Sequence, residues 1–347
     1  MAVYAERKIS AFIQDRLGPM EVGPYGMAQT LADLLKLIQK EDLVPEKAKN
    51  TLFKMAPFII FIAVFTGYSI LPITPNWPGA GLHTGIYFFL AIVSLDVLGI
   101  FLAGWSSNNK YSLLGSFRAV AQKISYEIPL TLSILSVCLV CQSLDLKEIS
   151  FQQGLQGPPS YALGIPLDFL ETTTWGGIFQ WNVFKMPLLL LVWVVFFIAS
   201  LAESNRTPFD LPEAESELVA GFQTEYSGFR WALIMLAEYG MMFLVSILGA
   251  ILFFGSWNTP FPNIGWLEMG RWTSGIPGSF MGGFWALFWL LMKTLAFVGI
   301  QMWVRWTFPR LRVDQLMELC WKYLTPFALV LLLGCGLWKV GMFYGVN

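Results

Sequence analysis

Charge is scarce in this sequence. Asp, Glu, Lys and Arg together make up 13 % of its 347 residues, about half the share of a soluble domain. The formal net charge is -1, so there is no basic footprint for nucleic acid. Histidine is nearly absent: His83 stands alone, beside four cysteines, Cys138, Cys141, Cys320 and Cys335. That is a poor ligand set, and from this chain alone it holds no iron–sulfur cluster, haem or zinc. Cys138-Leu-Val-Cys141 has the CxxC spacing, but both residues lie inside an apolar run. There a cysteine reads as a small packing residue, whereas a redox or metal pair needs a polar, accessible setting. No GxGxxG opens a βαβ unit and no P-loop is present, so nucleotide binding has no support. Repeats and low-complexity tracts are also missing.

What the chain has in abundance is apolar surface. Apolar residues reach 56 % and the mean hydropathy is +0.59. No soluble fold needs that much, so this is an integral membrane protein. A spanning helix takes about 20 mostly apolar residues. Seven runs qualify: Thr51–Ile73, Thr84–Gly104, Phe117–Gln142, Asn182–Glu203, Trp231–Gly255, Phe280–Val304 and Tyr323–Gly341. They are continuous rather than alternating, which argues against a membrane β-barrel. Trp105, Trp175, Trp181, Trp231, Trp257 and Trp306 crowd their ends as an interfacial belt does. The expected fold class is an all-α polytopic membrane helix bundle, with residues 1–347 in one domain.

Lys and Arg set the orientation. Segments 1–54, 105–123, 204–230 and 305–322 carry 17 of the 22 and are expected to face the cytoplasm. The Ser143–Trp181 connection faces the other side. Residues 1–50 hold no spanning run. Within them, Tyr25–Glu41 puts Met27, Leu31, Leu34, Leu35 and Ile38 on one helical face and Gln29, Asp33, Lys36 and Lys40 on the other. The pattern predicts an amphipathic helix at the interface, although a packed surface helix would carry the same stripe.

Asp96, Glu127, Glu238 and Lys293 fall inside these spans, and Glu203 ends one. Each costs about 2.5–3.5 kcal/mol at a helix centre, so they must face the protein interior. Pro129 follows Glu127 and can kink its helix and free a backbone carbonyl. Buried packing pairs are the plain reading; several such groups in one bundle, a lysine among them, favour a proton or ion path. Between 203 and 225, Glu203, Asp210, Glu213, Glu215, Glu217 and Glu225 are opposed only by Arg206. Pro208-Phe-Asp-Leu-Pro212 and Leu218-Val-Ala-Gly-Phe222 predict that this loop folds back on the bundle with Leu218, Val219 and Phe222 covered. Crowded carboxylates in low dielectric suit groups that take and release protons. Glu127, Glu203 and Glu238 are expected to face one another.

Several stretches, in order, resemble a known family. They are Glu6-Arg-Lys8, Gln14-Asp-Arg16-Leu-Gly18-Pro19, Val22-Gly23-Pro24-Tyr25-Gly26, Ser125-Tyr-Glu127, Leu201-Ala-Glu203-Ser-Asn205-Arg206-Thr-Pro208-Phe209-Asp210-Leu-Pro212-Glu213-Ala-Glu215-Ser-Glu217, Ala237-Glu238-Tyr239 and Arg305-Trp-Thr-Phe-Pro309-Arg310. The resemblance is to the H-type membrane component of NADH–quinone oxidoreductase, respiratory complex I, and covers essentially the whole chain.

That resemblance implies a membrane subunit of a proton-pumping enzyme. Quinone, ubiquinone or menaquinone, is the substrate, and this chain carries no FMN, haem or iron–sulfur cluster. Its implied partners are the peripheral-arm quinone-site subunits, the adjacent membrane subunits and the bilayer of a bacterial inner membrane. By motif, Arg7, Arg16, Arg206 and Asp210 fall around the quinone chamber. Glu127, Glu203, Glu213, Glu215, Glu217, Glu225, Glu238 and Lys293 fall on the proton path. The family has eight spans, the first just before the Glu-Arg-Lys motif. Here only Met1–Ala5 precede Glu6, so the natural chain is expected to begin upstream. Met20-Glu21 stands where the family has Asn and a basic residue. Two other readings stay open: the membrane subunit of a proton-pumping hydrogenase, and a stand-alone transporter, whose inverted repeats are not visible.

Overall fold

The computed structural model describes residues 2–155, 157, 161, 176–211, 219–263, 268–275 and 278–345. Its helices are α1 (Ala2–Ile13), α2 (Gln29–Gln39), α3 (Asn50–Tyr68), α4 (Gly85–Ser106), α5 (Lys110–Cys141), α6 (Leu146–Gln152), α7 (Asn182–Lys185), α8 (Pro187–Glu203), α9 (Gly228–Phe253), α10 (Met269–Trp272), α11 (Phe280–Thr307), α12 (Val313–Glu318) and α13 (Thr325–Gly345). A π-helical stretch, Leu319–Leu324, joins α12 to α13. Among the described residues the only β-pairing outside named strands is the isolated bridge Thr74–Trp77. The fold is the expected all-α polytopic membrane bundle.

Six helical stretches are long and apolar enough to cross a membrane: α3, α4, α5, α9, α11 and the run from α12 into α13. The seventh expected run departs from expectation. It breaks at Met186, which is extended (φ -141°, ψ 117°), so α8 keeps 17 residues and begins at Pro187. Proline disfavours helical backbone in the residue before it and is well placed at a first helical position. In the other direction, α5 starts at Lys110, well before Phe117. Asn109 caps it, accepting the Tyr111 N–H at 3.0 Å.

The expected helix over 25–41 shortens to Gln29–Gln39. Gly23 (φ 76°) and Tyr25 (φ 53°) hold left-handed backbone that a helix cannot continue through. None of its residues is buried, and Leu31, Leu34, Leu35 and Ile38 stay exposed. Upstream, the Glu-Arg-Lys motif sits on α1, which packs against α11 and α2 and buries Glu6, Ser10 and Ala11.

In the bundle α4 lies between α3 and α5; α5 also packs on α8 and α13, and α9 on α3, α8 and α11. Two glycines let α4 approach its neighbours. A Cβ at Gly99 would lie 2.6 Å from Ile60 of α3, and one at Gly104 would collide with Ser116 of α5. This close fit brings the polar residues of α4 and α5 together.

Candidate functional site

The Lys123 ammonium sits between two carboxylates. Its Nζ is 2.5 Å from Asp96 Oδ2 on α4 and 3.7 Å from Glu203 Oε1 at the end of α8. All three side chains are almost fully buried. Asp96 Oδ1 and Glu203 Oε2 have no hydrogen-bond partner among the described residues. They border a narrow cavity of ≈10 Å³ that Asn205, Phe222 and Glu238 also line. Glu238, on α9, accepts a hydrogen bond from Gln223 Nε2 at 2.7 Å. Gln122, beside Lys123, ties down the chain after α8, donating to the Ala202 and Phe209 carbonyls at 2.9 and 2.8 Å. Burying an unpaired charge is prohibitive, and here each charge lies against an opposite one.

A second network joins α1 to the loop after α8. Arg206 Nη1 donates to both Glu6 oxygens, at 3.0 and 3.2 Å, and Arg305 pairs with the same carboxylate. The Arg206 guanidinium lies 4.4 Å from the Tyr239 ring centroid. Burial opposes its charge, yet Glu6, then Tyr239 and Glu238, hold it above its ordinary range. Below, Asp210 pairs with Arg310 at 3.1 Å, and the Leu311 N–H donates to the Pro208 carbonyl at 3.2 Å.

Tyr239 also lines an apolar cavity of ≈600 Å³ between α1, α2, α3 and α9, with Val3, Leu34, Leu37, Phe65, Trp231 and Phe243 in its wall. Arg7 stands at its edge, paired with Asp33 at 2.7 Å. Arg7 also borders a second, more polar cavity of ≈400 Å³ with Arg16 and Gln29.

Of the residues expected from sequence, Arg7 and Arg16 therefore share one cavity, while Arg206 and Asp210 are engaged by Glu6 and Arg310. Glu203 and Glu238 line one space, as expected. Glu127 lies half-buried outside that lining and acts on Glu203 by like-charge repulsion. Glu225 stands apart, accepting from Asn109 Nδ2 at 2.6 Å. Lys293 lies at the other end of the bundle, donating to the Ser256 and Asn258 carbonyls at 2.9 and 2.6 Å under the Trp181 ring. Glu213, Glu215, Glu217 and Leu218 lie outside the described residues. In the apolar run beyond them, Phe222 is buried but Val219 is 60 % exposed. Val219 adopts φ 66° there, and the turn directs its side chain outward in this chain.

Sequence reasoning misses Lys123 as a site residue because it counts equally well as a basic residue of an adjoining loop. The available signal is its place six residues inside the Phe117 run. Glu6 is hidden in a motif that draws attention to its arginine, and Asp96 has no partner visible in the sequence.

The profile of the NADH dehydrogenase family matches residues 1–335. A relative from Cytophaga hutchinsonii, the second H-type subunit of its NADH-quinone oxidoreductase, is 60 % identical over 98 % of this chain and 94 % of its own length. The H-type subunit of NADH-quinone oxidoreductase from Chlorobaculum parvum is 49 % identical over 97 % of this chain and 87 % of its own. That of Geobacillus kaustophilus is 44 % identical over 94 % and 85 %. With both the bundle and its charged motifs shared at this level, the chain belongs to the family of H-type subunits of NADH-quinone oxidoreductase.

Proposed function

We propose that this chain walls the quinone chamber of a proton-pumping NADH–quinone oxidoreductase and carries a carboxylate path that couples quinone reduction to proton translocation. The observation that supports this most is the position of two consecutive residues on α9. Tyr239 lines the ≈600 Å³ apolar cavity, and Glu238 lines the pocket of Lys123, Asp96 and Glu203. An apolar wall with a few convergent polar groups at its edge suits a polar head on an apolar tail. Arg7 and Arg16 border the polar side, and Arg206 and Asp210 support the chamber from the loop below.

Electrons reach the quinone from a neighbouring peripheral subunit, so this chain supplies charge and protons but no redox centre. Negative charge arriving in the chamber raises the proton affinity of Glu238, and its removal lowers it again. The proton is passed among Glu238, Glu203, Asp96 and Glu127, with Lys123 holding the cluster's charge balance. Glu213, Glu215, Glu217 and Glu225 are assigned to the loop side of this path by motif, as is Lys293 to its far end. Segments 1–54, 105–123, 204–230 and 305–322 face the bacterial cytoplasm, where the peripheral arm docks. The adjacent membrane subunits and the bilayer cover the exposed apolar helix faces.

The test uses the assembled complex. Glu238→Gln keeps the shape and removes the titrating group, and quinone reduction and pumping should fall together. Full activity with full pumping would remove Glu238 from the path. Ala232→Trp, on the cavity wall, should raise the quinone KM.

A further inference from the structure

The break that Pro129 makes in α5 is closed from outside that helix. Proline has no N–H, so the carbonyl of Ser125, four residues earlier, is left without its intrahelical donor. Cys320 supplies one: its thiol is 3.1 Å from the Ser125 oxygen. Cys320 is fully buried and belongs to the π-helical stretch Leu319–Leu324. Such stretches are rare and concentrate where a helix has a particular side chain to aim. The wider turn leaves the Cys320 carbonyl to Thr325, whose hydroxyl donates to it at 2.9 Å. Two more bonds fix the same face to α5. Trp321 Nε1 donates to Ser125 Oγ at 3.3 Å, and the Tyr126 hydroxyl donates to the Leu316 carbonyl at 3.0 Å.

The seat of this contact matters. Lys123 lies two residues before Ser125 and Glu127 two residues after it. A change in the bend at Ser125 turns these two groups relative to each other and relative to Glu203. We infer that Cys320 is a positioning residue: presented by the π-helical turn, its thiol caps the Ser125 carbonyl that Pro129 leaves free, and so sets where Lys123 and Glu127 stand. The consequence for proton movement rests on the relay proposed above; the cap itself does not.

A double-mutant cycle in the assembled complex separates a cap from simple packing. Pro129→Ala restores the backbone N–H that Ser125 lacks, so Cys320 should then become dispensable. Cys320→Ala alone should speed heat inactivation by about two- to fivefold, the worth of one hydrogen bond, and shift the pH profile of quinone reduction. Cys320→Ser keeps a donor and should restore both. Added to Pro129→Ala, Cys320→Ala should change neither. An equal cost in the two backgrounds, or a serine variant no better than the alanine one, would overturn the cap. An unmoved pH profile would overturn the positioning of Lys123 and Glu127. If Cys320→Ala fails to assemble, the same comparison is read on assembly, and failure in both backgrounds would overturn the proposal. The relay reading fails separately, through a Glu238→Gln complex that pumps normally.

Discussion

Two lysines of this bundle meet opposite surroundings. Lys123 faces carboxylates, Asp96 at 2.5 Å and Glu203 at 3.7 Å. Lys293 faces only dipoles in its described contacts: two backbone carbonyls and the Trp181 ring. Carboxylates gain and lose protons and carbonyls do not. An ammonium among carboxylates can therefore rebalance charge when a neighbour titrates. One among carbonyls can only hold its helix in place, here α11 against the chain beyond α9. Arg206 is of the first kind, with Glu6 as its partner, and the phenol of Tyr226 is of the second, donating to the Phe53 carbonyl at 3.2 Å.

The contrast is sharpened most by Lys123→Met. It strands Asp96 and Glu203 together in low dielectric, and breaking a buried pair costs about 3–5 kcal/mol. Assembly should fall steeply, and any assembled complex should lose pumping; normal pumping would end the distinction. Next comes Glu6→Gln, which leaves Arg206 and Arg305 facing each other without a carboxylate. A loss of about 2–3 kcal/mol in thermal stability is expected, with a raised quinone KM because Tyr239 loses the support of Arg206. Lys293→Met should cost about 1–2 kcal/mol and leave the pH profile of activity unchanged. A shifted profile would move Lys293 into the first class and back onto the proton path.

The smallest effect belongs to Tyr226→Phe, about 1 kcal/mol at neutral pH. Burial pushes the Tyr226 phenol up to about 12, from about 10 in an unfolded chain. The folded value is the higher one, so this contribution is fully present below pH ~10 and is lost as pH rises from there to about 12. Stability compared between wild type and Tyr226→Phe should diverge only above pH ~10.

The seven apolar helices were legible because bilayer thickness imposes a run length that composition alone reveals. Pro129 was legible as a break, since a missing N–H is a property of the residue type. Its cap was not, because Cys320 is 195 residues from Ser125 and a thiol in an apolar run carries no sign of a partner. The acidic loop was legible as a folded element through Phe222, yet the exposure of Val219 depended on a left-handed turn that no side-chain pattern announces. Tyr25 ended the expected amphipathic helix in the same way.

The order of the polar groups along the chain is a matter of sequence, and so is the cost of burying each one. From these alone it follows that the protein spans a membrane and that its internal charges must meet inside it. Which charges meet is a matter of helix packing. Gly99 and Gly104 let α4 approach α3 and α5, so Asp96 reaches Lys123. The fold of α1 against α11 brings Glu6 to Arg206 across 200 residues. Partner choice over such separations depends on backbone distances of a few ångströms, set by the packing of all the helices at once, and no local run of residues encodes them.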